Sequence, residues 1–185
     1  MPHILPPNLS SKSNLRRYVG MLRSKAEPQE LKRLSSLLLP KLCAHPRFVE
    51  ARNVMLFHSL PDEPSTHEVI RQYGKVKNIF LPVVEGDLLT VRPYLGEEKM
   101  REGDFHILCP NTPALTDFSS IDLIVVPGVA FDVMGHRLGR GRGYYDRFLV
   151  HPSIMAYKIG LCFPFQLFEA IPFEPHDIMM DEVIC

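Results

Sequence analysis

At 185 residues the chain has room for one domain with a proper core and is short for two. Its 21 basic residues balance 21 acidic ones and 45% of its residues are hydrophobic, a globular composition that argues against disorder or a basic nucleic-acid tail. Its apolar stretches, such as the one ending at Val126, fall far short of the ~20 residues of a membrane span. The proline-broken start "MPHILPPNLSSKSNLRR" lacks the order of a signal peptide. Cys43, Cys109, Cys162 and Cys185 are too scattered for a CxxC zinc or redox site, so a cytoplasmic protein with idle thiols is expected.

Residues 1–10 are expected to form a flexible leader. Ser10 or Ser11 then caps a helix in which Leu15, Tyr18, Val19 and Leu22 recur at helical spacing, with Lys12 and Arg16 four apart on one face. A second helix starts at Pro28 and carries Leu31, Leu34, Leu38 and Leu42, and Pro40 is expected to kink or end it. The period then changes. "NVMLFHSL" reads as a buried strand and "STHEVIRQYG" as a helix, with Ser65 and Glu68 at capping-box spacing and Gly74 as the stop. "KNIFLPVV" and "LLTVRPY" read as strands of a hairpin turning at Glu85-Gly86-Asp87, and residues 96–120 are loop-rich, with no element assigned within them. "IDLIVVPG" is an apolar strand, followed by a glycine-rich loop and a helix "YYDRFLV" ended by His151-Pro152. "YKIGLCF" reads as another strand, "FQLFEAI" as a short helix and "HDIMMDEVIC" as a loop and strand. Strands alternating with helices predict an α/β fold: a single-domain, three-layer α/β/α sandwich over residues 1–185, around a mostly parallel, Rossmann-like open sheet.

The run "RLGRGRGYYDRFL", Arg137 to Leu149, carries the most chemistry. It occupies the place where such folds bind ligands, beyond a strand's carboxyl end and at the start of a helix. Gly139, Gly141 and Gly143 bring backbone N–H groups close to a ligand, and Arg137, Arg140 and Arg142 add the planar, two-pronged donors that suit phosphate or carboxylate oxygens. A polyphosphate or another polyanion is the expected ligand. The run lacks the terminal Gly-Lys-Ser/Thr of a Walker A loop and the GxGxxG spacing of a dinucleotide fold. A solvated turn and an Arg-Gly RNA-binding segment are the competing readings.

The wider stretch "VPGVAFDVMGHRLGRGRGYYDRFL" resembles the signature of the 5-formyltetrahydrofolate cyclo-ligases, also called methenyltetrahydrofolate synthetases. "KSNLR", "FHSLPDEPSTHEVI", "FLPVV" and "PHDIMMDEV" agree in the same order, so the resemblance runs from Lys12 to Val183. It implies conversion of 5-formyltetrahydrofolate to 5,10-methenyltetrahydrofolate with ATP and magnesium, the formamide oxygen being phosphorylated before the neighbouring folate amine attacks and phosphate departs. It implies that Lys12, Arg16, Arg137, Leu138, Gly139, Arg140, Gly141, Arg142, Gly143, Tyr144 and Tyr145 bind ATP. By the same resemblance His58, Glu63, Arg140, Gly141, Arg142, Gly143 and Tyr144 bind the folate, Asp146 and Asp177 hold Mg2+, and Arg140, Tyr145 and Asp146 act in catalysis. A carboxylate at Glu63 suits the donor edge of a pterin, while the side-chain role of His58 stays open. Asp146 retains a plainer reading as a helix-start residue favoured by the dipole. Arg142 stands where relatives often carry glycine or lysine, which keeps or adds charge. The implied partners are ATP and a reduced folate, with no nucleic acid, no membrane and a monomeric state. The rivals are a similar enzyme acting on another folate-related or carboxamide substrate, and a non-catalytic folate- or RNA-binding module. The joint presence of Lys12, Glu63, Asp146 and Asp177 speaks against the module.

Overall fold

The structure, a computed structural model, describes residues 2–6, 9–103 and 108–185. The helices are α1 (Lys12–Lys25), α2 (Pro28–Ala44), α3 (Pro46–Glu50), α4 (His67–Tyr73) and α5 (Tyr144–Leu149). The strands are β1 (Asn53–Met55), β2 (Asn78–Glu85), β3 (Leu88–Pro93), β4 (Met100–Glu102), β5 (Leu108–Pro110), β6 (Leu123–Val126), β7 (Ala130–Asp132), β8 (Arg137–Leu138), β9 (Tyr157–Leu161), β10 (Leu167–Phe168) and β11 (Glu182–Ile184). Six of them form the main sheet in the order β11-β9-β6-β1-β2-β3, parallel throughout except for the β2–β3 hairpin. The fold is the expected α/β sandwich around a mainly parallel sheet.

The apolar runs of the central strands divide between two faces because successive side chains point oppositely. Val54, Leu56, Ile79, Leu81, Leu123 and Val125 pack with Leu38, Leu42, Phe48, Val69 and Ile70 from α2, α3 and α4. Met55, Phe80, Ile124 and Val126 pack on the other side with Phe131, Phe148 and Leu149. That double burial is why "IDLIVVPG" shows no polar alternation: all four residues of β6 are buried.

Several local expectations are corrected. Of the two outcomes expected at Pro40, ending the helix does not occur: the second helix runs on to Ala44, since fully buried Leu38 and Leu42 on either side of the exposed proline anchor the turn that its missing N–H weakens. Ser65 does not cap α4; Thr66 is the N-cap, with its hydroxyl turned to the Phe57 carbonyl, while the Ser65 N–H goes to Ser35 Oγ. "FQLFEAI" is a 3-10 turn at Pro164–Gln166 and then β10, because the buried Gln166 amide bonds back to the Phe163 N–H and to the Gly128 and Val129 carbonyls. Within 96–120, β4 and β5 pair antiparallel, and residues 104–107 lie outside the described residues. Of the expected leader, His3 exchanges backbone hydrogen bonds with Leu167 and Glu169, and Leu9 is buried beside α1.

A second sheet, β10-β7-β8, was not foreseen. Its β7–β8 turn is built on Asp132, whose carboxylate accepts from the Met134 and His136 N–H groups, and on Gly135 at φ 94°. Helix α1, capped by Ser11 Oγ accepting from the Asn14 N–H at 3.2 Å, lays Leu15 and Val19 on this sheet. Meanwhile β1 has β2 on one side and β6 on the other, and the remaining parallel strands continue outward from β6. The loops leaving the carboxyl ends of β1 and β6 therefore run in opposite directions, which opens a crevice there.

Candidate active site

The crevice holds a cleft of about 410 Å³ walled by Leu60 and Glu63 after β1, Pro127 and Gly128 after β6, Val84 of β2, and Tyr144 and Tyr145 of α5. A side hollow of about 160 Å³ continues it past Phe57, His58 and Leu89. A second, larger cleft of about 660 Å³ lies between the start of α1, the glycine-rich loop and residues 172–177, where Lys12, Arg16, Glu174, His176 and Asp177 face one another. The two clefts share Arg137, Gly139, Gly143 and Asp146, so the glycine-rich loop is their common wall.

Gly141 at φ 102° and Gly143 at φ 69°, the latter immediately before α5, let this wall turn in a way a side chain would oppose. The three loop arginines do different things. The side chain of Arg137 is 3% exposed; it donates to Asp146 Oδ1 at 2.6 Å, reaches the Pro127 carbonyl and lies over the Tyr145 ring, and its Nε is buried without a partner. Arg140 crosses to the β1 loop and donates to Asp62 at 2.8 Å and Glu63 at 2.9 Å. Arg142 is exposed and lines the first cleft. Two of the three arginines expected to add charge here, Arg137 and Arg140, are thus paired with carboxylates of the protein.

The other expected ligand groups are also held in place. Arg16 Nε donates to the Gly139 carbonyl at 2.8 Å, tying α1 to the loop. Lys12 sits in the larger cleft between Asp177 at 2.6 Å and Glu174 at 2.8 Å. Burial works against the charge on Lys12 and on Asp177, but their mutual hydrogen bond prevails, holding the lysine above its usual range and the aspartate below its own. Leu138 is in the core under α1, so it offers the cleft backbone. Gly141 lines the larger cleft and not the first, and His58 lines the side hollow and a further hollow beside His67 and Tyr94, not the main cleft. The His58 ring lies 4.1 Å from that of His67, and burial and then the neighbouring imidazole push its pKa down to about 4. Among the described residues, Asp146 and Asp177 line one cleft, while the closest cluster of metal-type donors is Glu174, His176 and Asp177, within 4.8 Å of one another.

Three groups, Arg23, Asp62 and Glu174, escape the sequence reading. Buried Arg23 of α1 donates to the second oxygen of Asp62 at 3.0 Å and to the Gly128 carbonyl at 2.8 Å, so it joins both crevice loops. Asp62 shares itself between Arg23 and Arg140, and its carboxyl stays below the ordinary range although burial opposes this. Glu174 was visible in "EPHD" only as an acidic neighbour of Asp177. Tyr145 is expected at the site, but not as a buried hydroxyl lacking any partner; burial, and then the charge of Glu63, raise its pKa.

Comparison with known proteins matches this chain to a family. The 5-formyltetrahydrofolate cyclo-ligase family model matches residues 8–185. The 5-formyltetrahydrofolate cyclo-ligase of Mus musculus is 31% identical over 95% of this chain and 93% of its own length, and that of Escherichia coli strain K12 is 29% identical over 85% and 90%. The solution structure of Aquifex aeolicus 5,10-methenyltetrahydrofolate synthetase superposes with a TM-score of 0.83 at 33% identity, covering 94% of this chain and 88% of that one. A 5,10-methenyltetrahydrofolate synthetase from Mycoplasma pneumoniae shares the fold at a TM-score of 0.77 and 22% identity, over 94% and 98%. With nearly its whole length matched and the signature loop standing between two clefts, the chain belongs to the 5-formyltetrahydrofolate cyclo-ligase family.

Proposed function

We infer that this protein converts 5-formyltetrahydrofolate to 5,10-methenyltetrahydrofolate with consumption of ATP and release of ADP and phosphate. The formyl oxygen takes the terminal phosphoryl group of ATP, the neighbouring folate nitrogen then attacks the formyl carbon, and phosphate leaves with that oxygen. The observation that carries this reading is the shared wall: a phosphoryl group must pass between two substrates held side by side, and the glycine-rich loop borders both clefts. Such a transfer relies on positioning and on charges placed in advance.

In this reading ATP occupies the larger cleft, with its phosphates near Lys12, Arg16 and the N–H groups of the loop from Arg137 to Tyr145, and the folate occupies the crevice beside Glu63, His58 and Tyr144. Glu63 is supported as the pterin acceptor because it is buried and its Oε2 is already oriented by the Leu60 N–H at 3.0 Å. Arg140 holds its other oxygen and remains tied to Asp62 when Glu63 turns to a ligand. Tyr145 keeps its proton and lacks a partner, so it offers an O–H to a substrate oxygen in the folate cleft. Arg137, trapped in the wall, places a permanent positive charge between the substrates.

Asp146 and Asp177, with Glu174 beside the latter, would hold magnesium; hard oxygen donors of this kind suit that ion, which when bound with ATP neutralises phosphate charge. Both aspartates are paired with protein cations here, which fits sites that attract positive charge. The protein is taken to act as a single-domain, monomeric, cytoplasmic enzyme, in line with four free cysteines and with no described helix long and apolar enough to cross a membrane. The test is the absorbance of methenyltetrahydrofolate formed from 5-formyltetrahydrofolate, ATP and magnesium. Formation that needs all three is expected, and none under any condition rejects the reading.

A further inference from the structure

Phe173 is a large apolar side chain left 58% exposed beside a polar cleft. Its ring is not loose. It stacks on the imidazole of His136 with centroids 3.9 Å apart and planes 10° apart. His136 is itself pinned by its Nδ1 to Asp132 Oδ2 at 2.9 Å, and Asp132, 1% exposed, also accepts from the N–H groups of Met134, His136 and Ile171. The last of these fixes the chain two residues before Phe173. A buried carboxylate, an imidazole and a phenyl ring thus form a rigid pillar whose outermost member is aromatic and meets solvent.

The pillar stands at the rim of the larger cleft, next to Pro172, while the cations and loop glycines occupy other parts of the same lining. A ligand filling that cleft needs an anionic part for Lys12 and Arg16 and a flat apolar part for Phe173. The cleft's volume of about 660 Å³ is of the size that takes a whole small-molecule ligand. We propose that Phe173, backed by His136, is the stacking platform for the base of the nucleoside triphosphate, and that His136 acts as a positioning residue through it. This rests on the reading of the larger cleft as the ATP site. A stack reads the face of a ring rather than its hydrogen-bonding edge, so the platform accepts purines with little regard to their substituents.

The test uses Phe173→Ala and Phe173→Trp in the full-length enzyme, with inorganic tripolyphosphate as a competitor that has charge and no base. In Phe173→Ala the KM for ATP and for ITP should rise together by about 5- to 150-fold, the range lost with one base–aromatic stack, while kcat, the KM for 5-formyltetrahydrofolate and the inhibition constant of tripolyphosphate hold. Phe173→Trp should restore tight ATP use, and His136→Ala should give a smaller rise in the same constant. An unchanged KM for ATP in Phe173→Ala, beside a wild type that turns over normally, overturns the platform and leaves the activity standing. Equal weakening of ATP and tripolyphosphate overturns it too, because the side chain would then be shaping the phosphate site. A wild type that consumes no ATP fails the activity itself.

Discussion

The two clefts on either side of the glycine-rich loop differ in how they handle charge. In the larger one Lys12 is shared between Asp177, 11% exposed, and Glu174, 54% exposed, so one of its two partners sits where water and salt weaken the interaction and exchanges easily for a ligand. In the crevice one member of each pair is sunk in the wall: Arg137, its side chain 3% exposed, meets Asp146, and Glu63, 8% exposed, is gripped by Arg140. On the proposed reading one loop would serve two ligands by holding some charges adjustable and others fixed. A nucleotide with many phosphate oxygens tolerates the first arrangement, whereas recognition of one edge of a flat ring demands the second.

The sharpest way to break this contrast is Asp146→Asn, which touches both clefts. It should lower kcat by about 10²–10³-fold, the usual effect of removing one preorganised charge at a transferring group. It should also lower Tm, because Arg137 is left buried with only the distant Pro127 carbonyl and an unpartnered Nε. Activity titrated against magnesium, beside thermal unfolding, checks both; near-normal kcat with coincident magnesium curves would reduce Asp146 to a helix-start residue.

Glu63→Gln acts on the buried side alone. It should raise the KM for 5-formyltetrahydrofolate about tenfold, the order expected when a charge-assisted hydrogen bond becomes neutral, and leave the KM for ATP unchanged. Steady-state kinetics with each substrate varied in turn decides it, and a shared rise in both constants would show that the clefts are not separable.

Lys12→Ala acts on the adjustable side and should raise the KM for ATP several-fold, on the order of 1 kcal/mol, with little effect on the folate. Its stability effect has a definite pH window. The depressed carboxyl of Asp177 contributes stability above the ordinary carboxylate range that is lost as pH falls through its lower folded value; the raised lysine contributes below its usual range and loses this as pH rises further. In the variant, Tm should therefore change less between neutral pH and about pH 3 than in the wild type.

The smallest effect concerns His58, neutral in the folded protein down to about pH 4. Between its ordinary value and pH 4 the unfolded chain binds the extra proton, so stability falls as pH falls across that interval and is indifferent to this group above it. His58→Gln should flatten this part of the stability profile, measured by denaturant melts from pH 7 to 4; an unaltered slope would assign it elsewhere.

Reading the fold from sequence succeeded where a short window contains the physics. Leu15 and Val19 predict the buried stripe of α1, and Glu85-Gly86-Asp87 predicts the β2–β3 turn, with Gly86 at φ 62°. It failed at "FQLFEAI", whose helical spacing is overruled by one buried glutamine bonding to strands elsewhere, and at β7–β8, where only Asp132 and Gly135 hinted at a turn. For the site, residue types were legible and their state was not. Arg137, Arg140 and Arg142 look alike in "RLGRGRG", yet one is buried, one is bridged to the β1 loop and one is exposed.

By itself the sequence determined the periods that make helices and strands, the glycines that permit left-handed turns, and a family signature specific enough to name a reaction. These depend on groups within a few residues of one another or on motifs preserved as strings. Only the tertiary structure decided that Lys12 meets Asp177 across 165 positions, that Arg23 ties both crevice loops together, and that the signature loop is a wall with a cleft on each side. The reason is that a charge's partner, its burial and hence its protonation are set by what lies within a few ångströms in space, and chain order does not carry that distance.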